Sequence, residues 1–515
     1  MASSPVSIRN QTRAQGLKRN ILVSYASTLV LAGLGFFTTP FLVTHLGKAK
    51  YGVWTLELSV LIYLGLLDAG LYTSISKRVA EYLAQNDKAK LETALGTAQA
   101  IYLCLIPIAL IIVVGLCLGL NHLFRIPLDL QDQARLLLLF LGFNQCFTFL
   151  ALSRNAVLFG AGRLDLALSA STVTGAILTL LNLVIGVTGA PLAWLGCAAI
   201  FTTLGNVLWT QKLLHRFLPD IKISLSASRL PMAKDLLGFG LRNAYISILG
   251  TIAFCSDTLM IGLLLPISQV AQYAIASKLV NLINMLSVKP INALIPAYAR
   301  AQAQEDQEQL FSLLTRSIAY SCAVCLPVSV ACVVFPHALI RAWIGENYET
   351  SGDILRWLSI WTLIALPGHA VSTMLTGTER NKLLARFYTV SAFVNLAFSF
   401  TLTRVFGVVG PAIGSVLTVG LLESLLLPLF ACRLFGFSPM VFLSRSYGSL
   451  LPVLAISLFV ALLASTFLQP PLASHPALYA LVCLVFTVCA GWGVWAVATE
   501  DGKRLIQSRR ASIKP

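Results

Sequence analysis

The chain has 515 residues, of which 57% are hydrophobic and only 11% charged, and its formal net charge at pH 7 is +16. Surface-to-volume scaling leaves a soluble domain too little interior for that much apolar surface, so the composition excludes an ordinary soluble protein and indicates an integral membrane one. The positive charge calls for no nucleic-acid partner, because no basic domain gathers it.

The N-terminal stretch "MASSPVSIRNQTRAQGLKRN" is polar and basic. The apolar run behind it is too long for a signal-peptide core, so residues 1–19 read as a cytoplasmic tail before a true span. A helix-length window then finds about fourteen apolar segments. They cover 20–44, 52–75, 93–120, 134–159, 166–187, 189–211, 236–262, 268–298, 310–334, 354–377, 385–403, 408–432, 448–468 and 476–498. The longest connections, near 212–235 and 335–353, run to about 20 residues and leave no room for a soluble catalytic domain. No P-loop, zinc-ligand spacing or nucleophile elbow appears, so neither an enzyme nor a metal site is expected. Eleven cysteines are scattered through apolar runs. Cys322 and Cys325 stand three apart in "SIAYSCAVCLPVSVACVVF", where a buried thiol acts as a small hydrophobe.

Basic residues orient the spans. With the N-terminus inside, 26 Lys and Arg fall in segments on the cytoplasmic side and 7 on the outer side. Both termini are therefore expected in the cytoplasm. An odd number of spans would spoil this count.

The chain also repeats. Residues 157–173, "VLFGAGRLDLALSASTV", can be laid on 374–390, "MLTGTERNKLLARFYTV", and residues 51–81 on 272–302. Six spans, six similar spans and a terminal pair give the economical division. Residues 20–211 form one lobe, 212–235 a cytoplasmic connection and 236–432 a second lobe. Residues 433–498 form a helix pair, and 499–515 a cytoplasmic tail. An even number of spans per repeat makes the repeats parallel, with a cleft expected between the lobes.

Ionisable residues inside spans are costly and normally face a partner or water. Here they are Glu57 and Asp68, Arg154, Arg242 and Asp257, Lys278 and Lys289, and Glu423, with His369 a weaker candidate. Glu57 and Asp68 are eleven residues apart, close to three helical turns, and so share a face. Lys278 and Lys289 have the same separation, and the repeat sets Glu57 opposite Lys278 and Asp68 opposite Lys289. One lobe offers an acidic stripe and the other a basic one. Arg154, Arg242, Lys278 and Lys289 suit an anion such as a pyrophosphate, because guanidinium forks match phosphate oxygens and Lys adds a compact charge. Glu57, Asp68, Asp257 and Glu423 are expected to bind a coupling ion or to pair with those cations. The plainer alternatives stay open: snorkelling of Arg154 and Arg242 to the interface, and capping or pairing of Asp68 with Lys77 or Arg78.

Three stretches carry a resemblance. "LGKAKYGVWTLELSVLIYLGLLDAGLYTSISKRVAEYLAQND", "LLGFGLRNAYISILGTIAFCSDTLMIGLLLPISQVAQYAIASKLVNLI" and "ALIRAWIGENYETSGDILRWLSIWTLIALPGHAVSTMLTGTERNKL" are similar to spans 1–2, 7–8 and 9–11 of Wzx-type polysaccharide flippases. The resemblance implies an all-α membrane fold shared with multidrug and toxin extruders (MATE proteins) and with the lipid II flippase. It has two six-helix lobes in a V and a C-terminal helix pair. It also implies transfer of undecaprenyl-pyrophosphate-linked oligosaccharide by alternating access, driven by an ion gradient of protons or sodium, with no other cofactor. Membrane lipids, glycosyltransferases and a glycan polymerase are the partners it implies, around a monomer. A multidrug extruder of the same fold and a membrane-embedded glycan polymerase or ligase are the rival readings. The acidic Glu57 and Asp68 depart from a uniformly cationic cavity.

Overall fold

A computed structural model describes residues 5–219, 224–447, 451–467 and 476–498. The expected C-terminal tail, 499–515, lies outside the described residues. Among the described residues there is no β-strand, and helices succeed one another through short turns. Among the described residues ten helical runs are long and apolar enough to cross a membrane, or eleven when the bent pair Leu230–Leu241 and Ala244–Ala253 counts as one more. Two of the ten, Leu22–Asp68 and Asn381–Phe435, are 47 and 55 residues long, enough for two crossings each. The first is broken at Gly47, whose φ of 75° and ψ of 171° leave the helix; the second is broken at Gly407, with φ 62°. Large apolar side chains turn outward, with Ile111 72%, Leu118 75% and Phe201 69% exposed. Lipid can cover such a surface and water cannot. The protein is a multi-pass membrane protein.

The chain divides into two compact units, Met1–Ile248 with Pro266–Ser268, and Leu249–Leu265 with Gln269–Pro515. In the first unit α1 (Pro5–Gly65) leads into a 3₁₀ turn (Leu66–Asp68) and α2 (Leu71–Gln85). Then come α3 (Lys88–Leu123), α4 (Gln131–Gly160), α5 (Leu164–Thr188), α6 (Ala193–Phe217) and the beginning of α7 (Leu230–Leu264). Its core joins Leu71, Ile75 and Val79 of α2 to Leu91 and Tyr102 of α3, Phe149 of α4 and Leu236 of α7. The break before α2 has a backbone cause. Ala69 and Gly70 take φ of 49° and 74°, and a Cβ on Gly70 would collide with the Gly240 carbonyl oxygen. Only glycine lets α7 come that close. Beside it Arg78 pairs with Asp235 at 2.6 Å and with Glu81 at 2.6 Å.

The second unit takes the rest of α7, then α8 (Ile267–Asn292), α9 (Ile295–Ala303), α10 (Gln307–Val334), α11 (Pro336–Trp343) and α12 (Glu349–Gly377). It continues with α13 (Asn381–Phe406), α14 (Gly410–Thr418), a π-helical segment (Val419–Leu426) and α15 (Leu427–Phe435). It ends with α16 (Pro439–Tyr447), α17 (Leu451–Phe467) and α18 (Pro476–Ala498). The terminal helix is tied to α10 by the Trp492 indole N–H, which donates to the Ala323 carbonyl at 2.9 Å.

The repeat read from the sequence reappears in backbone detail. Three residues join α4 to α5 and α12 to α13. In both turns the arginine N–H donates to a carbonyl five residues back at 2.8 Å, Arg163 to Leu158 and Arg380 to Leu375. Matching helix caps extend the correspondence beyond what the sequence reading finds. Asn86 and Glu305 both take φ 54°, and the Asp immediately after each caps the next helix. Asp87 accepts from the Lys90 N–H at 3.0 Å and Asp306 from the Gln309 N–H at 2.8 Å. An acceptor at this position satisfies one of the orphan donors of a helix start.

Candidate functional site

In the first unit Glu57 lies in the second half of α1. It is 1% exposed, and neither carboxyl oxygen has a hydrogen-bond partner among the described residues. Asp68 closes the 3₁₀ turn. It accepts from the Tyr102 hydroxyl at 2.6 Å and from the Tyr72 N–H at 3.4 Å. The helix stops at Gly65, so Glu57 and Asp68 are not carried on one uninterrupted helix as the eleven-residue spacing suggested. Asp68 instead sits where an acceptor steadies the first turn of α2. Lys77 and Arg78 take Glu81 and Asp235 as their partners rather than Asp68. Arg154, half-buried on α4, donates from Nε to Gln211 Oε1 at 2.7 Å and from Nη1 to the Leu150 carbonyl at 2.8 Å. Among the described residues its charge meets neutral acceptors only.

In the second unit Lys278 is half-buried on α8 and has no acidic partner among the described residues. Arg242 falls in the part of α7 that belongs to the first unit, at the bend between Leu241 and Ala244, and Lys289 in α8 just before Pro290. The side chains of both lie outside the described residues. Lys278 and Lys289 do share one unbroken helix, in contrast to Glu57 and Asp68.

Asp257, on the part of α7 that belongs to this unit, is 5% exposed. Three hydroxyls surround it. Tyr273 of α8 donates to Oδ2 at 2.5 Å, Ser415 of α14 to Oδ2 at 3.1 Å, and Ser399 of α13 to Oδ1 at 2.9 Å. Asn395 completes the group, donating to Ser415 Oγ at 3.2 Å. Close helix approach makes this cage, since a Cβ on Gly414 would stand 3.1 Å from the Ser399 backbone nitrogen. Three hydroxyl donors keep a buried carboxylate satisfied without a cation.

Glu423 is 2% exposed and sits inside the π-helical segment. Its Oε1 accepts from Ser391 Oγ of α13 at 2.8 Å. The next residue, Ser424, donates to the Ile364 carbonyl of α12 at 2.6 Å. A Cβ on Gly368 would stand 2.7 Å from the Glu423 carbonyl oxygen, so α12 and the π segment touch backbone to backbone. π-Helical turns are rare, and they occur often at functional sites.

The sequence reading picks out the carboxylates and misses their shells. A signal is present: Ser391, Asn395, Ser399 and Thr403 recur every fourth residue of α13, and all are buried. That row reaches Glu423 at one end and Asp257 at the other. Among the described residues no three His, Cys, Asp or Glu side chains converge as a metal site would need. Cys322 and Cys325 are buried free thiols, with Cys325 packed against Ser287 and the Ile283 carbonyl.

The family model for polysaccharide biosynthesis proteins matches residues 17–302, more than half of the chain, and the chain belongs to that family. A second model, MatE, matches residues 244–401. A probable low-salt glycan biosynthesis flippase of Haloferax volcanii is 22% identical over 424 residues, covering 78% of this chain and 81% of that protein. A putative O-antigen transporter of Shigella flexneri is 22% identical over 400 residues, covering 75% and 91%. The solved structure of the lipid II flippase MurJ, in an inward closed conformation, superposes with a TM-score of 0.68 at 15% identity. It covers 91% of this chain and 98% of that one, a likeness of fold. Membership and fold agree with the resemblance seen in spans 1–2, 7–8 and 9–11. The chain has the MATE-like fold.

Proposed function

We propose that the protein is a flippase that moves undecaprenyl-pyrophosphate-linked oligosaccharide units across the bacterial cytoplasmic membrane by ion-coupled alternating access. The product enters synthesis of a surface polysaccharide, lipopolysaccharide or exopolysaccharide. The observation that carries this reading is a set of charges without ionic partners. Glu57, Asp257 and Glu423 are buried with no cation on them among the described residues, and Lys278 has no acid. Charges at membrane depth that do not neutralise each other are explained by ligands that come and go.

Lys278 and Arg154, with Arg242 and Lys289, take the pyrophosphate. The hydroxyl cage of Asp257 takes the coupling ion, a proton or sodium, with Glu423 and Glu57 as further carboxylates for it, while Asp68 steadies the broken helix. Ion binding that favours one conformation over the other gives the exchange its direction. The count of basic residues supports both termini in the cytoplasm, where the lipid-linked unit is loaded. A glycosyltransferase that builds the unit and a polymerase that receives it are the partners, around a monomeric exporter.

The test is made in cells lacking this protein. They should accumulate the lipid-linked oligosaccharide on the cytoplasmic leaflet, and wild-type protein should clear it. Lys278→Ala should reach the membrane at normal level and leave at least a tenfold excess of the intermediate. Clearance by Lys278→Ala at the wild-type rate would contradict the role given to Lys278. Drug resistance without any change in glycan would contradict the substrate class.

A further inference from the structure

Two buried carboxylates of the second unit lie along one helix. Ser391, which holds Glu423, and Ser399, which holds Asp257, are eight residues apart on α13, about 12 Å at 1.5 Å per residue. Asn395 stands midway. It donates to Ser415 Oγ at 3.2 Å, and its Oδ1 accepts from Ser399 Oγ at 3.5 Å. Every member of the row is buried, Ser391 1%, Asn395 1% and Ser399 0% exposed. Two ionisable side chains buried in a membrane bundle and joined by a row of polar residues on one helix point to use, because such groups are costly there.

We propose that Glu423 is a second proton site and that the α13 row joins it to Asp257 as one proton route through this unit. This rests on the ion-coupled reading above and names the ion and its path. Asp257 releases a proton and becomes a carboxylate held by its three hydroxyls. The proton passes along hydroxyls and water lodged against the row, each oxygen accepting one proton and releasing another. It ends on the carboxylate of Glu423, which becomes a carboxyl. Asn395 orients the chain and takes up no proton.

The shells differ as such a route requires. Among the described residues Asp257 has three hydroxyls and a neighbouring amide, whereas Glu423 has the one hydroxyl of Ser391, too few oxygens to replace the shell of a metal cation but enough for a proton. Glu423 also stands in a segment that can respond. A π turn holds one residue more than an α turn, so its closure to α-helix would rotate the helix beyond it by about 100°. The titratable groups around the row are Cys255 and Tyr273 beside Asp257, Tyr388 three residues before Ser391, and His369 next to Gly368. On α14 there is none, and on α15 Cys432 and Arg433 lie more than two turns past Glu423.

Infrared difference spectra of the purified protein, titrated from alkaline to acid pH, test the route without any glycan. The wild type should show the carbonyl stretch of a protonated carboxyl that Glu423→Gln removes and Ser391→Ala displaces. Asp257→Asn should shift the midpoint of that band, and Asn395→Leu should abolish this dependence while leaving the band. No band lost in Glu423→Gln, or a midpoint indifferent to Asp257→Asn, would overturn the proposal. Glycan export is measured separately on the same variants. The infrared changes expected above, combined with intact export in Glu423→Gln and Asp257→Asn, would instead contradict the ion-coupled reading and leave the proton sites standing.

Discussion

Glu57 is buried with both carboxyl oxygens unpartnered among the described residues, which sets its proposed role in transport against the stability of the fold. Two buried acceptors without donors cost the fold about 1–3 kcal/mol each. Glu57→Leu should therefore raise the melting temperature of the detergent-purified protein while lowering export; unchanged export in a stabilised variant would remove Glu57 from transport. Single charges are easy to find in the sequence because each stands alone in an apolar run. Their hydroxyl partners are not, since Ser, Thr and Tyr are ordinary inside membrane helices and bond their own backbone. Thr148, for example, only donates to the carbonyl four residues back. The hidden signal is spacing: Ser391, Asn395, Ser399 and Thr403 share a face, as period four on a helix demands.

At the scale of elements, the breaks matter as much as the helices. Hydropathy reads 52–75 as one continuous span, because averaging over a window is blind to a single 3₁₀ turn. The "LLDAG" stretch stops α1 and starts α2 through two left-handed residues, Ala69 and Gly70. Gly70→Ala should lose about 1–2 kcal/mol from the left-handed backbone alone, and more from collision with the Gly240 carbonyl, seen as a lower melting temperature. A variant as stable as wild type would show that α7 is not packed there as described. Outside the membrane, the carboxyl of Asp87 is held below the ordinary carboxylate range by hydrogen bonds from the Lys90 N–H and ammonium. A lowered value makes its cap effective at neutral pH, and the cap is lost as pH falls through the acid range. Amide exchange over the first turn of α3 should accordingly rise in acid relative to that in Asp87→Asn; equal behaviour would contradict it. The π segment has no signature in the sequence that periodicity could detect, since "VGLLESLL" reads equally well as α-helix.

For the whole molecule, each of the apolar segments read from the sequence falls mainly on helix among the described residues, because hydrophobic length is the chief determinant of membrane spans. The repeat is legible in a handful of identities and is written more firmly in its caps and turns, which depend on backbone geometry more than on side-chain identity. Membership of the polysaccharide biosynthesis family places the chain in glycan synthesis, and the unpartnered charges are the reason for proposing an ion-coupled export step. The most direct measurement places purified protein in vesicles with undecaprenyl-pyrophosphate-linked oligosaccharide and an imposed proton gradient. Translocation should track the gradient and stop when it is collapsed or when Asp257 is replaced by Asn. Movement at the same rate with the gradient, without it and in empty vesicles would contradict the account.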